Sequence, residues 1–319
     1  MNNTNLKYFG MVLFILVASG ISLAATFLSS EVKTKVTDKA IHISVGDKPV
    51  LTYNTETLKP PQGEPAYYAR SGFIHPLYSP TGKVLTDGFP VGHVHQHAVF
   101  SAWTQATFKH EVVDFWNQHR ETGTAKHVGI GEVSQDAFIA RLQQVSLKKG
   151  PAINEEWDVQ VKNSADPFIV DFAIEQSCAT ADEIYLHPYH YGGFGFRGSA
   201  TWSREDTKKF EGDMKMLTGE GISDREKSNH THPRWVAVYG SIEGKEAGFV
   251  VMDHPANFRY PQPIRMHPKM PYFVFSPVVD GSFILKPGLT YNAKYRIVTF
   301  DGAPKKDKID AWYQEYLEE

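Results

Sequence analysis

Three histidines at alternate positions are the feature of this sequence best suited to chemistry. His93, His95 and His97 lie in the stretch 92–103, just before an apolar and aromatic run. On an extended backbone, successive side chains point to opposite faces, so the three imidazoles would share one surface. The unperturbed pKa of histidine lies close to neutrality, and its neutral ring is the commonest metal ligand. The pattern therefore favours a site for proton transfer or cation binding over a polar loop that caps strand ends.

A second candidate segment spans residues 187–197, where glycines separate aromatic, histidine and arginine side chains. It is too rich in glycine for the core of a strand, and glycine lets the backbone approach a ligand closely. Tyr189, His190 and Arg197 are its candidate site residues.

A third candidate segment, residues 253–261, follows a predicted strand directly. Sites often form on loops at strand ends, because a rigid scaffold positions the side chains there. Asp253, His254, Asn257 and Arg259 are the polar residues that this loop offers.

Composition limits the class of protein. The chain has 319 residues, of which 41% are hydrophobic and 13% aromatic, as expected for a globular protein with a substantial core. Its formal charge is -3, from 33 Lys and Arg against 36 Asp and Glu, so no basic excess suits it to nucleic acid. The single cysteine, Cys178, cannot form an intramolecular disulfide or a Cys-rich zinc site, and its apolar neighbours favour a structural thiol.

The N-terminus is typical of a secretion signal. A positive charge precedes an apolar core over residues 8–18, and small residues allow cleavage after Ala24 or Ala25. We predict a signal peptide over 1–25 and one exported domain over 26–319, placed in the periplasm or outside the cell. Because spanning a bilayer needs about 20 apolar residues, an uncleaved N-terminal membrane anchor is the alternative, and no other membrane segment is predicted.

Alternating apolar and polar residues predict a protein built of β-strands. Turn residues at 46–49 and 243–244 indicate hairpins, residues 208–232 indicate a long surface excursion, and helical spacing over 305–317 indicates one amphipathic helix. The predicted strands include 40–45, 50–53, 137–142, 156–161, 168–175, 235–239, 247–252 and 291–299. The fold class is therefore all-β, a large antiparallel two-sheet β-sandwich with a C-terminal helix.

Four segments together resemble the bacterial exported family labelled PmoA-like, or methane oxygenase PmoA, a family of unknown function. They are residues 73–87 with the histidine stretch that follows, 113–116, 192–197 and 253–261, and the resemblance spans roughly residues 40–302. A genuine particulate methane monooxygenase subunit crosses the membrane several times, so the family label says little about chemistry here. Members look more like components of carbohydrate breakdown, and a large sandwich with histidines on its face is similar to the aldose epimerase or galactose mutarotase supersandwich.

The resemblance also ranks the histidines. The family's usual histidine motif, Asp-His-Pro-His-His-Arg/His-Gly, maps onto His93, His95 and His97, but Gln96 stands where the family has an adjacent histidine. This leaves His93 and His95 as the better candidates. A Lys-Glu-Gly usual in the family before the central motif is replaced here by residues 191–193.

The first functional hypothesis is an exported carbohydrate-active enzyme, a lyase, epimerase or hydrolase that uses histidine acid–base chemistry on a sugar or glycoside. Sugars stack on aromatic rings and pair with planar polar groups, and the aromatic and acidic stretch 111–117 resembles a cleft wall. We assign proton transfer first to His95, then to His254 or His190, with Arg197 and Arg259 holding a carboxylate or oxyanion. The candidate catalytic residues are His95, His93, His254, His190 and Arg197. The candidate substrate-binding residues are Trp103, Trp116, Tyr189, His97, Asp253, Asn257 and Arg259.

Two alternatives remain open from the residues alone. The second hypothesis is a metal-binding protein or oxygenase-like enzyme, in which His93 and His95 hold zinc or copper. The third is a non-catalytic glycan-binding module, whose affinity would depend on Trp103 or Tyr189 rather than on His95. The expected partner is a small-molecule or oligosaccharide substrate, with no nucleic acid and no membrane contact beyond the signal segment.

Overall fold

Three antiparallel sheets make up the fold in the computed structural model, which describes Met1 and residues 31–319. The predicted signal peptide lies outside the described residues apart from Met1. The strands are β1 (Val32–Val36), β2 (Ala40–Val45), β3 (Lys48–Asn54), β4 (Phe73–Leu77), β5 (Val99–Ala102), β6 (Ala106–Phe108), β7 (Glu111–Val113), β8 (Gly123–Val133), β9 (Ala137–Ser146), β10 (Gly150–Val161), β11 (Phe168–Cys178), β12 (Ile184–Leu186), β13 (Gly193–Arg197), β14 (Lys215–Thr218), β15 (Trp235–Ile242), β16 (Lys245–Asp253), β17 (Ile264–Met266), β18 (Tyr272–Phe275), β19 (Phe283–Leu285) and β20 (Thr290–Asp301). The α-helices are α1 (Arg225–Ser228) and α2 (Lys306–Glu318), and short 3-10 helices span Ala66–Tyr68, Gln118–Arg120, Ala200–Trp202 and Pro277–Asp280.

Two eight-stranded sheets pack face to face. The first sheet has the order β1-β2-β3-β4-β5-β13-β18-β17, and the second has the order β14-β15-β16-β20-β11-β10-β9-β8. The main core lies between them, where Trp157 and Phe172 of the second sheet meet Phe194 of the first at ring centroid distances of 5.9 and 5.4 Å. Alternation along each strand brings one apolar face to this core, and removal of that face from water stabilises the sandwich.

The outer faces of both sheets are also partly covered. A four-stranded small sheet, with the order β19-β12-β6-β7, shares a second apolar cluster with the outer face of the first sheet. Helix α2 covers the outer face of the second sheet, where Ile309, Tyr313 and Tyr316 pack against Trp235 and Val298. No helix among residues 31–319 has the length and apolar character that a bilayer crossing requires.

The architecture confirms the predicted fold class and most of the predicted elements. The hairpins β2–β3 and β15–β16 form around the predicted turns, and β9, β10 and β11 are consecutive antiparallel neighbours. The helix predicted over 305–317 is α2. The excursion predicted over 208–232 is broken by the short elements β14 and α1. Cys178 is half-buried, and its thiol donates to the carbonyl of Leu285 at 3.2 Å, in line with a structural role.

One expectation was wrong: the glycine-rich segment does contain a strand core. Residues Gly193–Arg197 form β13, a fully buried strand that pairs with β5 and β18 in the middle of the first sheet. Phe194 and Phe196 face the main core, while Gly193 and Gly195 lie on the opposite face. A Cβ at Gly195 would come within 2.6 Å of the Trp116 ring, so Gly195 makes room for a large side chain that lies against the sheet.

Candidate active site

A polar cavity of about 250 Å³ opens on the outer face of the first sheet, beside the second apolar cluster. Its walls come from four separate parts of the chain, namely the loops before β5, after β7 and before β13, and the β17–β18 hairpin. The lining residues are His93, His95, Gln96, Asn117, His119, Arg120, His190, Tyr191, Arg265, His267, Met270 and Tyr272. We call this the histidine cavity.

The predicted row of three imidazoles on an extended strand does not form. The segment before β5 turns instead, with the amide of His93 donating to the carbonyl of Pro90 and that of Gln96 to the carbonyl of His93. His93 and His95 reach the cavity, with ring centroids 5.9 Å apart. His97 is turned into the interior, where Nδ1 lies 3.0 Å from the carbonyl oxygen of Gly88. Turn hydrogen bonds within the loop override the alternation that would have aligned the three rings.

His97 is thus a buried structural residue in this conformation, and it does not line the histidine cavity. Its Nε2 lies 2.8 Å from Oε1 of Gln118, so the ring ties the loop before β5 to the loop after β7. Burial lowers the pKa of His97 well below its ordinary value. The role predicted for it in substrate binding is replaced by one in holding the cavity walls together.

His93 carries a carboxylate partner. Its Nδ1 lies 3.1 Å from Oε2 of Glu205, and the two side chains are 34% and 36% exposed. A carboxylate on one nitrogen fixes the tautomer with the proton on Nδ1 and stabilises the imidazolium that forms when Nε2 accepts a proton. His93 therefore has the arrangement of a general base whose orientation is held by a second residue.

His95 is more enclosed than His93. Its ring stacks on that of Tyr68 at 6.4 Å and meets the ring of His119 edge-on at 5.4 Å. Burial, with smaller contributions from His119, His93 and Arg197, lowers the pKa of His95 to about 3. A neutral imidazole suits hydrogen bonding to a substrate better than it suits donation of a proton from an imidazolium.

Asp114 organises the loop after β7. Its Oδ1 accepts from the amides of Trp116 and Asn117 at 3.0 and 2.7 Å, and Oδ2 accepts from the side-chain amide of Asn117 at 2.8 Å. The same Oδ2 lies 3.2 Å from Nη1 of Arg120. This buried carboxylate places Asn117, His119 and Arg120 on one wall of the histidine cavity.

Aromatic rings form the floor of the cavity. Tyr191 and Tyr272 line it, and the Tyr191 hydroxyl donates to Oδ1 of Asn117 at 2.8 Å. Trp116 lies behind them, edge-on at centroid distances of 5.4 and 6.1 Å, and is fully buried in the second apolar cluster, so it does not line the cavity as predicted for a substrate-binding residue. The buried hydroxyl of Tyr272 has no hydrogen-bond partner among the described residues. Because an unpaired buried donor is costly, this hydroxyl is a candidate for pairing with a ligand.

Arg197 lies beneath the cavity rather than in its lining. Its side chain is fully buried, with Nη1 donating to Oε1 of Gln96 at 2.8 Å and Nη2 donating to Oγ of Ser203 at 3.1 Å. Nη2 is also 3.9 Å from Oε2 of Glu205. Burial lowers the pKa of Arg197 to about 10, so it stays cationic at neutral pH and adds positive potential below the cavity.

The edge strand β17 and the turn after it complete the cavity. Arg265 donates from Nη1 to Oδ1 of Asn229 at 3.0 Å. His267 accepts at Nδ1 from the amides of Lys269 and Met270, which leaves its proton on Nε2. Burial is the main cause that lowers the pKa of His267 to about 4, so it too is neutral.

The segment before β13 supplies the remaining wall. The rings of Tyr189 and His190 lie 4.2 Å apart, and His190 meets Tyr191 edge-on at 4.6 Å. The Tyr189 hydroxyl accepts a long hydrogen bond of 3.4 Å from Nη2 of Arg120. Tyr189 lies at the edge of the cavity and is not one of its lining residues. Burial and nearby positive charge lower the pKa of His190.

The structure does not bring the third candidate segment to the cavity. Arg259 donates to the carbonyls of Pro277, Gly281 and Ser282, and therefore clamps one loop. His254 lines a different cavity beside α2, and its Nδ1 accepts from the amide of Ala256, as in a strand-end cap.

Asp253 and Asn257 form the buried part of the same segment. Oδ1 of Asp253 accepts from Nδ2 of Asn257 at 2.6 Å, and its Oδ2 accepts from the amide of Gln262 at 2.7 Å. Burial raises the pKa of Asp253 to about 7. Trp103 is also placed elsewhere, buried in the second apolar cluster with Nε1 donating to Oε1 of Gln176. These residues hold the backbone or fill the core and do not line the histidine cavity.

Several cavity residues were not identified by sequence reasoning. Glu205 lies in a polar stretch with no local pattern, and His119 and Arg120 follow a segment recognised only as a cleft wall. Arg265, His267 and Tyr272 belong to a short hairpin without a motif. The available signal was composition, since the chain has 14 histidines and the first segment accounts for few of them.

A bound metal has limited support from the geometry. The part of the chain that the structure describes contains no group of three or more His, Cys, Asp and Glu residues placed to hold a metal ion. His93 and His95 share the cavity, but Nδ1 of His93 faces Glu205. Zinc or copper at this pair stays a prediction.

Residues 40–314 match a family model described as a family of unknown function, DUF6807. The chain belongs to this family. The matched range contains every residue of the histidine cavity. No curated protein matches the sequence.

Solved structures similar to this chain include three sugar-related enzymes. A mutant of heparan sulfate lyase HepC from Pedobacter heparinus matches with 11% identity and a TM-score of 0.39, over 86% of this chain and 37% of the lyase. The GH36 alpha-galactosidase AgaA from Geobacillus stearothermophilus matches with 10% identity and a TM-score of 0.37, over 86% of this chain and 41% of the galactosidase. A galactose mutarotase related enzyme from Lactobacillus acidophilus matches with 9% identity and a TM-score of 0.34, over 86% of this chain and 99% of that enzyme. At these identities and TM-scores, the matches do not determine the chemistry of this chain.

Proposed function

We propose that this protein is an exported carbohydrate-active enzyme that moves a proton on a sugar, with His93 as the base that Glu205 orients. The observation that carries the proposal is the contact of 3.1 Å between Nδ1 of His93 and Oε2 of Glu205 at a polar cavity. In such a pair Nε2 is free to accept a proton, and the carboxylate stabilises the charge that develops on the ring.

The surroundings of His93 suit a single sugar ring. The cavity volume of about 250 Å³ is small for a ligand site, and its walls combine aromatic rings with planar polar groups. Tyr191 and Tyr272 offer aromatic surface, while Asn117 and Gln96 offer amide groups for hydroxyls. His95, which stays neutral, serves as a hydrogen-bond partner for the substrate rather than as the first proton carrier.

Among lyase, epimerase and hydrolase chemistry, the lining favours a lyase or epimerase. Most glycoside hydrolases place two carboxylates on either side of the bond they cleave. None of the described residues that line the cavity is Asp or Glu, and Glu205 is engaged with His93. The cavity instead offers a histidine base together with amide and hydroxyl groups. This combination suits an enzyme that removes a proton from a carbon atom of the sugar.

The test is transfer of the substrate's carbon-bound proton to solvent. Wild type would be incubated in D₂O with neutral, uronic and keto-sugar glycosides, and deuterium incorporation and new products would be followed by NMR. We expect at least one class to exchange or react, and expect His93→Gln to slow it about 10²–10⁴-fold. Glu205→Gln should slow it at least about tenfold, because the ring loses its orienting charge.

The matched control is His42→Gln, since His42 is an exposed strand histidine bonded to the hydroxyl of Thr52. It should leave the rate unchanged. Exchange that persists at the wild-type rate in His93→Gln would refute the role of His93. If wild type and His93→Gln both bind a sugar but neither shows exchange or product, the protein is instead a glycan-binding module.

A further inference from the structure

The charge of the histidine cavity is one-sided. Two guanidinium groups, Arg120 and Arg265, line it, and buried Arg197 lies beneath, while no carboxylate is among the described lining residues. Arg120 is neutralised in part by Asp114 at 3.2 Å. Arg265 has only the neutral amide oxygen of Asn229 as its side-chain partner in the described part of the chain. Glu205 lies beside the cavity, but it contacts His93 at 3.1 Å and is 3.9 Å from Arg197. Arg265 is therefore the lining cation without a carboxylate partner in the described part of the chain.

A buried donor lies on the same face as the unmatched guanidinium. Arg265 and Tyr272 are on neighbouring antiparallel strands, where Arg265 pairs with Val274. Because side chains alternate, Tyr272 shares the face of Val274 and hence of Arg265. Tyr272 is only 3% exposed, and its hydroxyl has no partner among the described residues. Burial raises the pKa of Tyr272, so the phenol is a neutral donor.

From this juxtaposition we propose that the substrate is a saccharide that carries a carboxylate, a uronic acid residue, held by Arg265 and Arg120 with the Tyr272 hydroxyl as a further donor. A planar guanidinium fork matches the two oxygens of a carboxylate, and a bidentate pair of this kind gives orientation as well as binding. The assignment rests on the proposed function, because it names the substrate class for the same cavity.

The anion also makes the proton transfer chemically reasonable. The hydrogen on the ring carbon next to the carboxylate becomes more acidic when a cation offsets the carboxylate charge, because the electron pair can then delocalise onto its oxygens. The proton passes to Nε2 of His93. For epimerisation, a solvent water molecule on the opposite face gives a proton to that carbon, and Nε2 of His93 then releases its proton to solvent.

For elimination the same intermediate loses its neighbouring oxygen substituent. The carbon–oxygen bond at the adjacent ring carbon breaks, a carbon–carbon double bond forms, and the departing oxygen takes up the proton that His93 accepted. Atoms and charge balance in both outcomes, and neither needs an oxidant or a further reactant.

The test compares ligands that differ only at the carboxylate. Methyl glycosides of glucuronic, galacturonic and mannuronic acid would be titrated calorimetrically against the matching neutral hexosides, with glucose 6-sulfate as a second anion. We expect at least one uronide to bind at least about tenfold more tightly than its neutral counterpart. Arg265→Met should abolish that preference, and Arg265→Lys should retain part of it.

Arg141→Met is the control, because Arg141 is an exposed strand residue that pairs with Glu156 on the second sheet. It should keep the full preference for the uronide, and thermal unfolding of each variant would show that the fold is intact. Equal binding of uronide and neutral hexoside, or a preference that survives Arg265→Met, would overturn the assignment. Tighter binding of the sulfate than of every uronide would overturn the choice of carboxylate.

Deuterium incorporation into the bound uronide separates the two proposals. Uronide binding that depends on Arg265, without exchange or product, would keep the ligand class and refute the enzymatic role of His93. Turnover of a neutral or keto sugar that depends on His93, with no preference for uronides, would refute the ligand class and keep the proposed function.

Discussion

At the scale of single residues, neighbouring histidines differ in what their surroundings let them do. His93 has a carboxylate partner at 3.1 Å, whereas His95 is enclosed by rings and has a pKa lowered to about 3. Desolvation disfavours the charged imidazolium of His95. The sequence ranked His95 first for proton transfer, whereas the proposed function gives that role to His93.

His95 should therefore stay neutral through the range in which an ordinary histidine titrates. We expect the NMR signals of its ring to show the neutral form from pH 7.5 down to about pH 5, because burial penalises the imidazolium. The assignment would be made by loss of the signals in His95→Gln. A titration midpoint near 6.5, the ordinary value for histidine, would contradict the burial seen in the structure.

At the scale of elements, strand β13 connects the core to the cavity. One face carries Phe194 and Phe196 into the main core, and the other carries Gly195 beneath Trp116. Gly193 has a φ of +132°, and a Cβ there would lie 2.5 Å from the carbonyl oxygen of Phe275. The strand is thus shaped by what packs across it rather than by its own β-propensity.

Replacement of Gly195 by alanine should damage both the fold and the cavity. The new Cβ would lie 2.6 Å from the Trp116 ring and 3.1 Å from that of Phe100, so the free energy of unfolding should fall by about 1–3 kcal/mol. Urea unfolding would measure it. Gly129→Ala is the matched control, because a Cβ added at Gly129 in β8 would have no atom within 4 Å and should change stability by less than about 1 kcal/mol. Equal effects of the two substitutions would show that Trp116 can move aside.

At the scale of the whole molecule, seven histidines have a lowered pKa in the folded state, and partial or full loss of contact with water is the leading cause in each. The pKa falls to about 4 in His75 and His267 and to about 3 in His95. The others are His97, His127, His190 and His254. Each binds a proton more readily in the unfolded chain than in the folded protein.

Stability should consequently fall as the pH drops below about 6.5. In that range the histidines bind protons in the unfolded state but not in the folded state, so the free energy of unfolding decreases with decreasing pH. Asp253, Asp87 and Asp158 act in the opposite direction, because burial raises their pKa values and the folded state holds the extra protons. Because these histidines outnumber the three carboxyl groups, we expect a net loss of stability between pH 7 and pH 5.

Urea unfolding at a series of pH values would measure this dependence. His75→Asn should make the slope shallower, since His75 is buried against the hydroxyl of Thr86 and its folded pKa is about 4. His42→Asn, at an exposed position, should leave the slope as in wild type. A free energy of unfolding that is constant from pH 7 to pH 5 would contradict the balance of shifts.

Local patterns in the sequence predicted many of the longer strands and the C-terminal helix. Alternation predicted β9, β10, β11 and β20, and turn residues predicted the hairpins, because a strand with one face in the core must alternate apolar and polar residues. Helical spacing predicted α2 for the same reason. The sequence also pointed to three of the four cavity walls, through the histidine loop, the stretch 111–117 that contains Asn117, and the segment before β13.

Only the tertiary structure decided which side chains meet. His93 is joined by Glu205 from 112 positions along the chain, and by Arg265 and Tyr272 from a hairpin with no motif of its own. His97, only two residues from His95, is instead turned inside by hydrogen bonds to Gly88 and Gln118. Periodicity reports which face of one element is buried, whereas a site depends on the pairing of distant strands and on loop turns, which no local pattern specifies.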